Sequence, residues 1–152
     1  MSQDRELNLS EFLPYRFSVL SNTISESIAR RYRNEFGLSV PQWRVMAVLA
    51  QAPGLTAKAV GERTAMDKVA VSRAVSALVD AGHVERRTTE HDARSSALTL
   101  TEGGEAIYEK VAPLALAFER DLIAALRPDD KKVLDGLMEA LARALSPDRP
   151  LW

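Results

Sequence analysis

The stretch TAMDKVAVSRAVSALVDAGHVERR, residues 64–87, decides the fold. Asp67 is a good N-cap and Gly82 a good stop, so the spacing predicts a helix over 67–81. On a helical wheel, five apolar residues form one side, which we expect to face the core: Val71, Ala74, Val75, Leu78 and Val79. The opposite side is small and polar apart from one valine, and it carries Val69, Ser72, Arg73 and Ser76.

A shorter helix precedes this segment and a hairpin follows it. Thr56 is a good N-cap for a helix over 57–65. Two segments of strand character, 83–89 and 97–101, are joined by the polar sequence EHDARSS, which predicts a hairpin with a long tip. Two short helices followed by a hairpin are typical of a winged helix-turn-helix, in which the second helix enters a major groove. We therefore predict such a DNA-binding domain over residues 40–101.

The two ends of the chain are expected to be long amphipathic helices. Apolar residues recur every three or four positions in both end segments, 10–36 and 102–146. One small central domain does not cover all of these apolar faces, so we expect 10–36 and 102–146 to be dimerisation helices. The predicted fold class is mainly α with a small β-wing: a winged helix-turn-helix whose N- and C-terminal helices form an intertwined homodimer.

The composition excludes several classes of function. None of the 152 residues is a cysteine, which excludes disulfides, thiolate catalysis and cysteine-based redox sensing. No run of about 18 apolar residues occurs, so we expect no membrane span. Residues 1–17 lack the pattern of a secretory signal, which favours a cytoplasmic protein. The net charge of −1 gives no support for DNA binding, because phosphate neutralisation usually calls for a basic excess.

The polar face of the 67–81 helix has the side chains that read DNA. Small residues let a helix lie deep in a groove, and Arg73 can bind guanine or phosphate. Ser72 and Ser76 can bond to phosphates or bases, and Val69 can meet a thymine methyl group. Lys68, in the first turn, is suited to a phosphate contact. The alternative is an ordinary amphipathic helix with a solvated polar face.

The hairpin carries a second group of candidate DNA contacts. Asp92 and Arg94 are two residues apart, so the carboxylate can fix the direction of the guanidinium. An arginine presented in this way suits a narrow minor groove. The alternative is an exposed ion pair with little energetic consequence. Arg86 and Arg87, on the first strand, are predicted to contact flanking phosphates.

Residues 64–87, together with HDARSSALTLTEGGEAIY at 91–108, resemble the MarR family of multiple-antibiotic-resistance-type regulators. The resemblance covers nearly the whole chain and is most specific at the wing aspartate, the arginine two later and the LT-E-x-G opening of the next helix. It implies a homodimer on a pseudo-palindromic operator of double-stranded DNA. Most members repress transcription, and many release DNA when a small, often aromatic, acid binds. The residues that match are Ser72, Arg73, Asp92 and Arg94.

This chain departs from the family at two points. It lacks the thiol of the cysteine-sensing members, so that route of regulation is closed. Gly61 stands where those proteins usually have alanine, and we interpret it as close packing between the two short helices.

An effector pocket is expected between the N-terminal helix 10–36, the helix that follows it, and the start of the long helix that begins at 102. The candidates combine an aromatic surface with guanidinium groups, which suits an aromatic carboxylate: Tyr15, Arg16, Trp43 and Arg44. The alternative is that Trp43 belongs to the core and both arginines are solvated. His83 and His91 form no ligand cluster, so we expect no metal site.

The sequence predicts a ligand-responsive repressor, and two other classes of function are alternatives to it. A winged-helix module that binds protein instead of DNA is favoured slightly by the near-neutral charge. An enzyme has little support, because no nucleophile–base pair, metal set or Gly-rich phosphate loop is visible. We expect neither catalysis nor a cofactor.

Overall fold

Local capping residues set most of the element boundaries in the computed structural model, which describes residues 7–89 and 92–152 but not the side chains at 89 and 92–94. Over the described residues the chain forms six helices and one hairpin: α1 Leu13–Phe36, α2 Val40–Gln51, α3 Ala57–Thr64, α4 Lys68–Asp80, β1 Val84–Thr89, β2 Asp92–Leu100, α5 Glu102–Ile123 and α6 Pro128–Leu145. The predicted mainly helical fold with a small β-wing is confirmed. The chain divides into two units, Met1–Val40 and Pro41–Trp152.

The first unit consists mainly of α1. The side chain of Asn8 accepts a hydrogen bond from the Ser10 N–H at 3.1 Å and closes a turn before the helix. That turn moves the start of the helix from the predicted Ser10 to Leu13. Gly37, at φ 65°, ends the helix and donates its N–H to the carbonyl of Arg33.

The second unit buries one apolar core. Its buried side chains come from α2, α3, α4, the hairpin and α5, with Ala142 from α6. The largest are Val45, Met46, Leu49, Val60, Val71, Val75, Leu78, Leu98 and Val111. Val71, Ala74, Val75 and Leu78 of the predicted α4 core face are buried, and Val79 is partly exposed. The helical periodicity therefore identified the inner side of α4, and with it the outer side.

The turn between α3 and α4 is held by side-chain caps at both helices. The Thr56 hydroxyl accepts from the Ala59 N–H at 3.2 Å, and the Asp67 carboxylate accepts from the Ala70 N–H at 2.8 Å. Both predicted caps are confirmed. Ala65 adopts φ 53°, a left-handed conformation, which lets the chain reverse between the helices.

Gly61 lies where α3 and α4 approach each other. A β-carbon at this position would be 3.4 Å from Val71 Cγ2 and 3.6 Å from the Met66 carbonyl oxygen. These are ordinary van der Waals separations. The helices do approach here, but the contact leaves room for the methyl group of an alanine.

The hairpin differs from its prediction. β1 and β2 pair antiparallel, with Val84 opposite Leu100 and Arg86 opposite Leu98. β2 begins at Asp92, so the predicted start of the second strand at 97 is wrong. Regular pairing nevertheless ends at Thr88 opposite Ser96, and after an irregularity only Thr89 and Asp92 pair beyond it. Polar residues mark a loop poorly in an exposed two-stranded ribbon, because such a ribbon need not bury either face near its end. Residues 90 and 91 lie outside the description.

The residues at the N-termini of α5 and α6 explain where these two helices begin. Thr101 caps α5 by accepting from the Gly104 N–H at 3.1 Å. Pro128 starts α6 at a position where its missing N–H is tolerated. The two helices are separated by residues 124–127, and Pro128 and the two aspartates after it belong to the first turn of α6. No helix among the described residues is long and apolar enough to cross a bilayer.

Candidate nucleic-acid interface

The outer side of α4 is open to solvent along its length. All five predicted DNA contacts on this helix are exposed: Lys68, Val69, Ser72, Arg73 and Ser76. Val69 has 57% of its surface exposed, although a valine gains free energy when buried. This helix face is exposed, its side chains are mostly small, and they are either uncharged or basic. The opposite face of the same helix is buried. Such a surface fits a major groove.

A groove lies beside this surface, between α3, α4 and β1. It has a volume of about 580 Å³ and is lined by Ala57, Lys58, Gly61, Glu62, Met66, Lys68, Val71, Ser72, Val75 and Arg86. Three cations from three different elements line it, Lys58, Lys68 and Arg86, against the single carboxylate of Glu62. We call it the α3–α4 groove. The formal charge of the chain hides this local excess of positive charge.

Lys58 is the member of this group that sequence reasoning missed. It stands in the first turn of α3 and its side chain is exposed. The signal was present, because the Thr56 cap fixes where α3 begins and hence which residues occupy its first turn. Which other elements lie near that turn is a tertiary fact, and the sequence pattern does not contain it.

Arg86 and Arg87 lie on opposite faces of β1. Arg86 lines the α3–α4 groove, whereas Arg87 lines a second cavity of about 440 Å³ with Thr99 and Tyr108. Arg87 is also paired with Glu85, at 2.7 Å between Nη2 and Oε1. Successive side chains of a strand point to opposite faces, so the two arginines do not form one surface. Both arginines were predicted to contact flanking phosphates, and the structure places them on different faces of β1.

The backbone of Asp92 and Arg94 belongs to β2, and Asp92 is paired with Thr89. The ion pair predicted between their side chains lies outside the described residues. A contact of either side chain with DNA stays a prediction.

Comparison with known proteins places this architecture. Residues 36–95 match the sequence profile of the MarR family. The HTH-type transcriptional regulator YwoH of Bacillus subtilis is 32% identical over 102 residues, covering 67% of this chain and 74% of that protein. The chain belongs to the MarR family.

Solved structures of MarR-family proteins share the fold. A MarR/EmrR family transcriptional regulator from Acinetobacter sp. ADP1 superposes with a TM-score of 0.82 at 26% identity, covering 93% of this chain and 99% of that one. A MarR mutant from E. coli, crystallised with operator DNA, gives a TM-score of 0.77 at 24% identity over 90% of this chain and 99% of that one. The protein is thus a transcriptional regulator of MarR type with the predicted winged helix-turn-helix.

The predicted effector residues of this MarR-family chain occupy two different units. In the second unit, Trp43 stacks on Tyr108, with ring centroids 5.6 Å apart and planes 17° from parallel. Arg44, the neighbour of Trp43, is partly buried. In the first unit, Tyr15 and Arg16 are exposed on α1.

Tyr108 is an aromatic residue that sequence reasoning missed. It lies at the start of α5, where the predicted pocket was expected, but it was not among the candidates. The stacked pair has the offset-parallel geometry that aromatic rings prefer. Its flat apolar surface is chemically suited to another ring.

No group of three histidine, cysteine, aspartate or glutamate side chains among the described residues is arranged to hold an ion, and His91 lies outside those residues. His83 has a buried Nδ1 without a hydrogen-bond partner, but no acidic or histidine cluster accompanies it.

Proposed function

We propose that this MarR-family protein represses transcription by binding a pseudo-palindromic operator as a homodimer, with one α4 in each of two successive major grooves. The observation that carries the proposal is the exposed polar face of α4, Lys68 to Ser76, directly opposite a buried apolar face. A helix of this kind at a domain surface has no packing role for its outer side chains. Contact with a DNA groove would give each of these side chains a function.

The proposed contacts divide into base readout and phosphate binding. Arg73 is proposed to bind guanine, Ser72 and Ser76 a base or a phosphate, and Val69 a thymine methyl group. Lys58, Lys68 and Arg86, the three cations of the α3–α4 groove, are proposed to bind phosphates along one backbone. This local excess of cations supplies the attraction that the net charge of −1 does not.

The wing completes the proposed interface. Asp92 is proposed to orient Arg94, and Arg94 to enter the adjacent minor groove. Arg87 stays a predicted phosphate contact, but it would act from the face of β1 that is turned away from the α3–α4 groove.

A second copy of the chain is proposed to cover two apolar surfaces. Leu13, Phe17 and Leu20 are exposed on α1 of the first unit. The C-terminal part of the second unit exposes Leu116, Leu122, Leu126, Val133, Leu134, Leu137, Met138, Leu141 and Leu145. Burying one such side chain is worth about 1.5–3 kcal/mol, so these faces strongly favour association. A two-fold dimer then presents two α4 helices at about 34 Å, one turn of DNA.

The proposal also includes release of DNA when a small-molecule effector binds. The Trp43–Tyr108 stack of the second unit supports an aromatic ligand, and Arg44 is proposed to bind its carboxylate. Tyr15 and Arg16, in the first unit, stay predicted effector contacts. Benzoate and hydroxybenzoates, added singly to the protein–DNA complex, should lower the DNA affinity, and Trp43→Leu should weaken that response. Unchanged DNA affinity across the series would refute an aromatic-acid effector and leave DNA binding intact.

The DNA claim is tested by fluorescence anisotropy with the promoter regions of the protein's own gene and of its neighbours, at several salt concentrations. We expect log K to fall linearly with log salt, with a slope of about −0.9 for each phosphate contact, and the preferred site to exceed a scrambled duplex by about 10³-fold or more. A flat salt response or equal affinity for the scrambled duplex would refute the proposal. The rival protein-binding module predicts that Arg73→Glu is tolerated, whereas the proposed interface predicts loss of binding.

A further inference from the structure

The end of α4 and the start of α5 meet in a compact junction, which we call the α4–α5 joint and define by Gly82, His83, Thr101 and Gly104. On the α4 side the chain reverses at Gly82, whose φ is 75°. The Gly82 N–H donates to the Val79 carbonyl at 3.0 Å, and the His83 N–H donates to the Leu78 carbonyl at 2.8 Å. These two bonds form the motif that commonly ends a helix at glycine.

Thr101 ties this turn to α5 through three hydrogen bonds. Its N–H donates to the His83 carbonyl at 3.0 Å. Its hydroxyl donates to the Gly82 carbonyl at 2.6 Å and accepts from the Gly104 N–H at 3.1 Å. The Thr101 side chain therefore caps α5 and is hydrogen-bonded to the turn that ends α4.

Gly104 closes the joint by direct contact. A β-carbon at this position would overlap the His83 carbonyl, so the first turn of α5 lies against the backbone of that turn. Gly104 is also buried. Because backbone groups of both segments are fixed to each other, the joint leaves little freedom for α4 to tilt relative to α5.

We propose that Thr101 is a positioning residue that fixes the direction of α4 relative to α5, and so sets which half-site spacing the dimer accepts. The inference rests on the proposed function. α4 has 13 residues and is therefore about 20 Å long. A tilt of about 10° at the joint moves the far end of α4 by about 3.4 Å, the rise of one base pair. A flexible α4–α5 joint would therefore let the dimer accept half-site spacings that differ by one base pair.

The experiment compares the wild type and four variants on three operators. The operator selected by the wild type is remade with its half-sites one base pair closer and one base pair further apart, and Kd is measured for each. Thr101→Val removes the hydroxyl with nearly the same shape, and Thr101→Ser restores it. Thr56→Val is the matched control, because it removes the cap of α3 and leaves the joint intact.

We expect the wild type, Thr101→Ser and Thr56→Val each to lose at least about tenfold in affinity when the spacing changes, a penalty typical of a lost specific contact. Thr101→Val should lose less than about threefold, whatever its affinity for the original operator. A second variant, Thr101→Asp, keeps a capping oxygen for α5 and loses the donor to Gly82, so it separates the joint from helix capping and should behave like Thr101→Val.

A DNA-free measurement separates the two proposals. The chain has no cysteine, so Val69→Cys carries a single spin label near the far end of α4, and the pair of labels in a dimer gives one distance distribution. Thr101→Val or Thr101→Asp should broaden that distribution, and Thr56→Val should not. A wild-type spacing preference and distribution width in both Thr101→Val and Thr101→Asp would overturn the role of Thr101 and leave DNA binding standing. Absence of specific DNA binding by the wild type would overturn the proposed function, and absence of any inter-copy distance would overturn both.

Discussion

The carbonyl group of His83 occupies the space that a side chain on Gly104 would need. Gly104→Ala must therefore push α5 away from the turn that ends α4. Overpacking of this kind typically costs about 1–3 kcal/mol, and here it should exceed the gain in helix propensity. Urea denaturation followed by circular dichroism measures the loss. A variant as stable as the wild type would show that the two segments separate without cost.

Gly61→Ala should have the opposite effect and serves as the matched comparison. Position 61 is inside α3, and a methyl group there meets Val71 at an ordinary distance of 3.4 Å. Alanine is favoured over glycine in a helix by about 0.8–1.0 kcal/mol, so the midpoint of unfolding should rise. A destabilised Gly61→Ala would show that α3 and α4 pack too closely for a methyl group at this position.

Arg86 and Arg87 should differ in their effect on DNA binding. Arg86 lines the groove beside α4, whereas Arg87 is paired with Glu85 on the other face. Arg86→Ala is expected to weaken binding to all sequences and to reduce the salt slope by about one. Arg87→Ala is expected to change both less. Equal effects, measured by anisotropy across a salt series, would contradict the assignment of faces.

Arg73 and Arg94 should separate sequence readout from general affinity. Arg73→Ala is expected to cost about 1–3 kcal/mol on the preferred site and to relax the choice of base at one position. Arg94→Ala is expected to lower affinity for related sites by a common factor. Selection of binding sites from a random duplex library reveals the difference. An unchanged consensus with Arg73→Ala would remove Arg73 from base readout.

The first turn of α6 should respond to acid. Both nitrogens that Arg127 directs at Asp130 lie 2.9 Å from its carboxylate oxygens, and this pairing holds the pKa of Asp130 below its ordinary value of 3.8. A lowered pKa in the folded state means that the contribution to stability is complete above about pH 4 and disappears as the pH falls through the folded value. The protection factors of amides in the first turn of α6, which are corrected for the intrinsic slowing of exchange in acid, should therefore fall on acidification. In Asp130→Asn that part of the pH dependence should be absent.

The parts of the fold that the sequence predicted are those decided by neighbours in the chain. Thr56 and Asp67 each accept from an N–H three residues on, so their capping role was readable from spacing alone. The inner and outer sides of α4 were readable for the same reason, because helical periodicity is a local property.

The parts that were missed depend on residues far apart in the chain. β2 was predicted to start at 97 because its first residues are polar, yet it begins at Asp92, which pairs with Thr89 across an irregularity in the ladder. Lys58 joins Arg86 in one groove across 28 positions of sequence, as their numbers show. Trp43 meets Tyr108 through the packing of α2 and α5. No periodicity within a single element specifies such meetings.

The Trp43–Tyr108 stack also gives the protein an internal optical probe. The chain has two tryptophans, and the other, Trp152, is 67% exposed and bonded to Glu139 through its indole nitrogen at 3.1 Å. Trp152→Phe would leave a single indole, held against a phenol ring, whose fluorescence and near-ultraviolet dichroism depend on that one packing arrangement. The relative motion of α2 and α5 would then be visible in solution without any label.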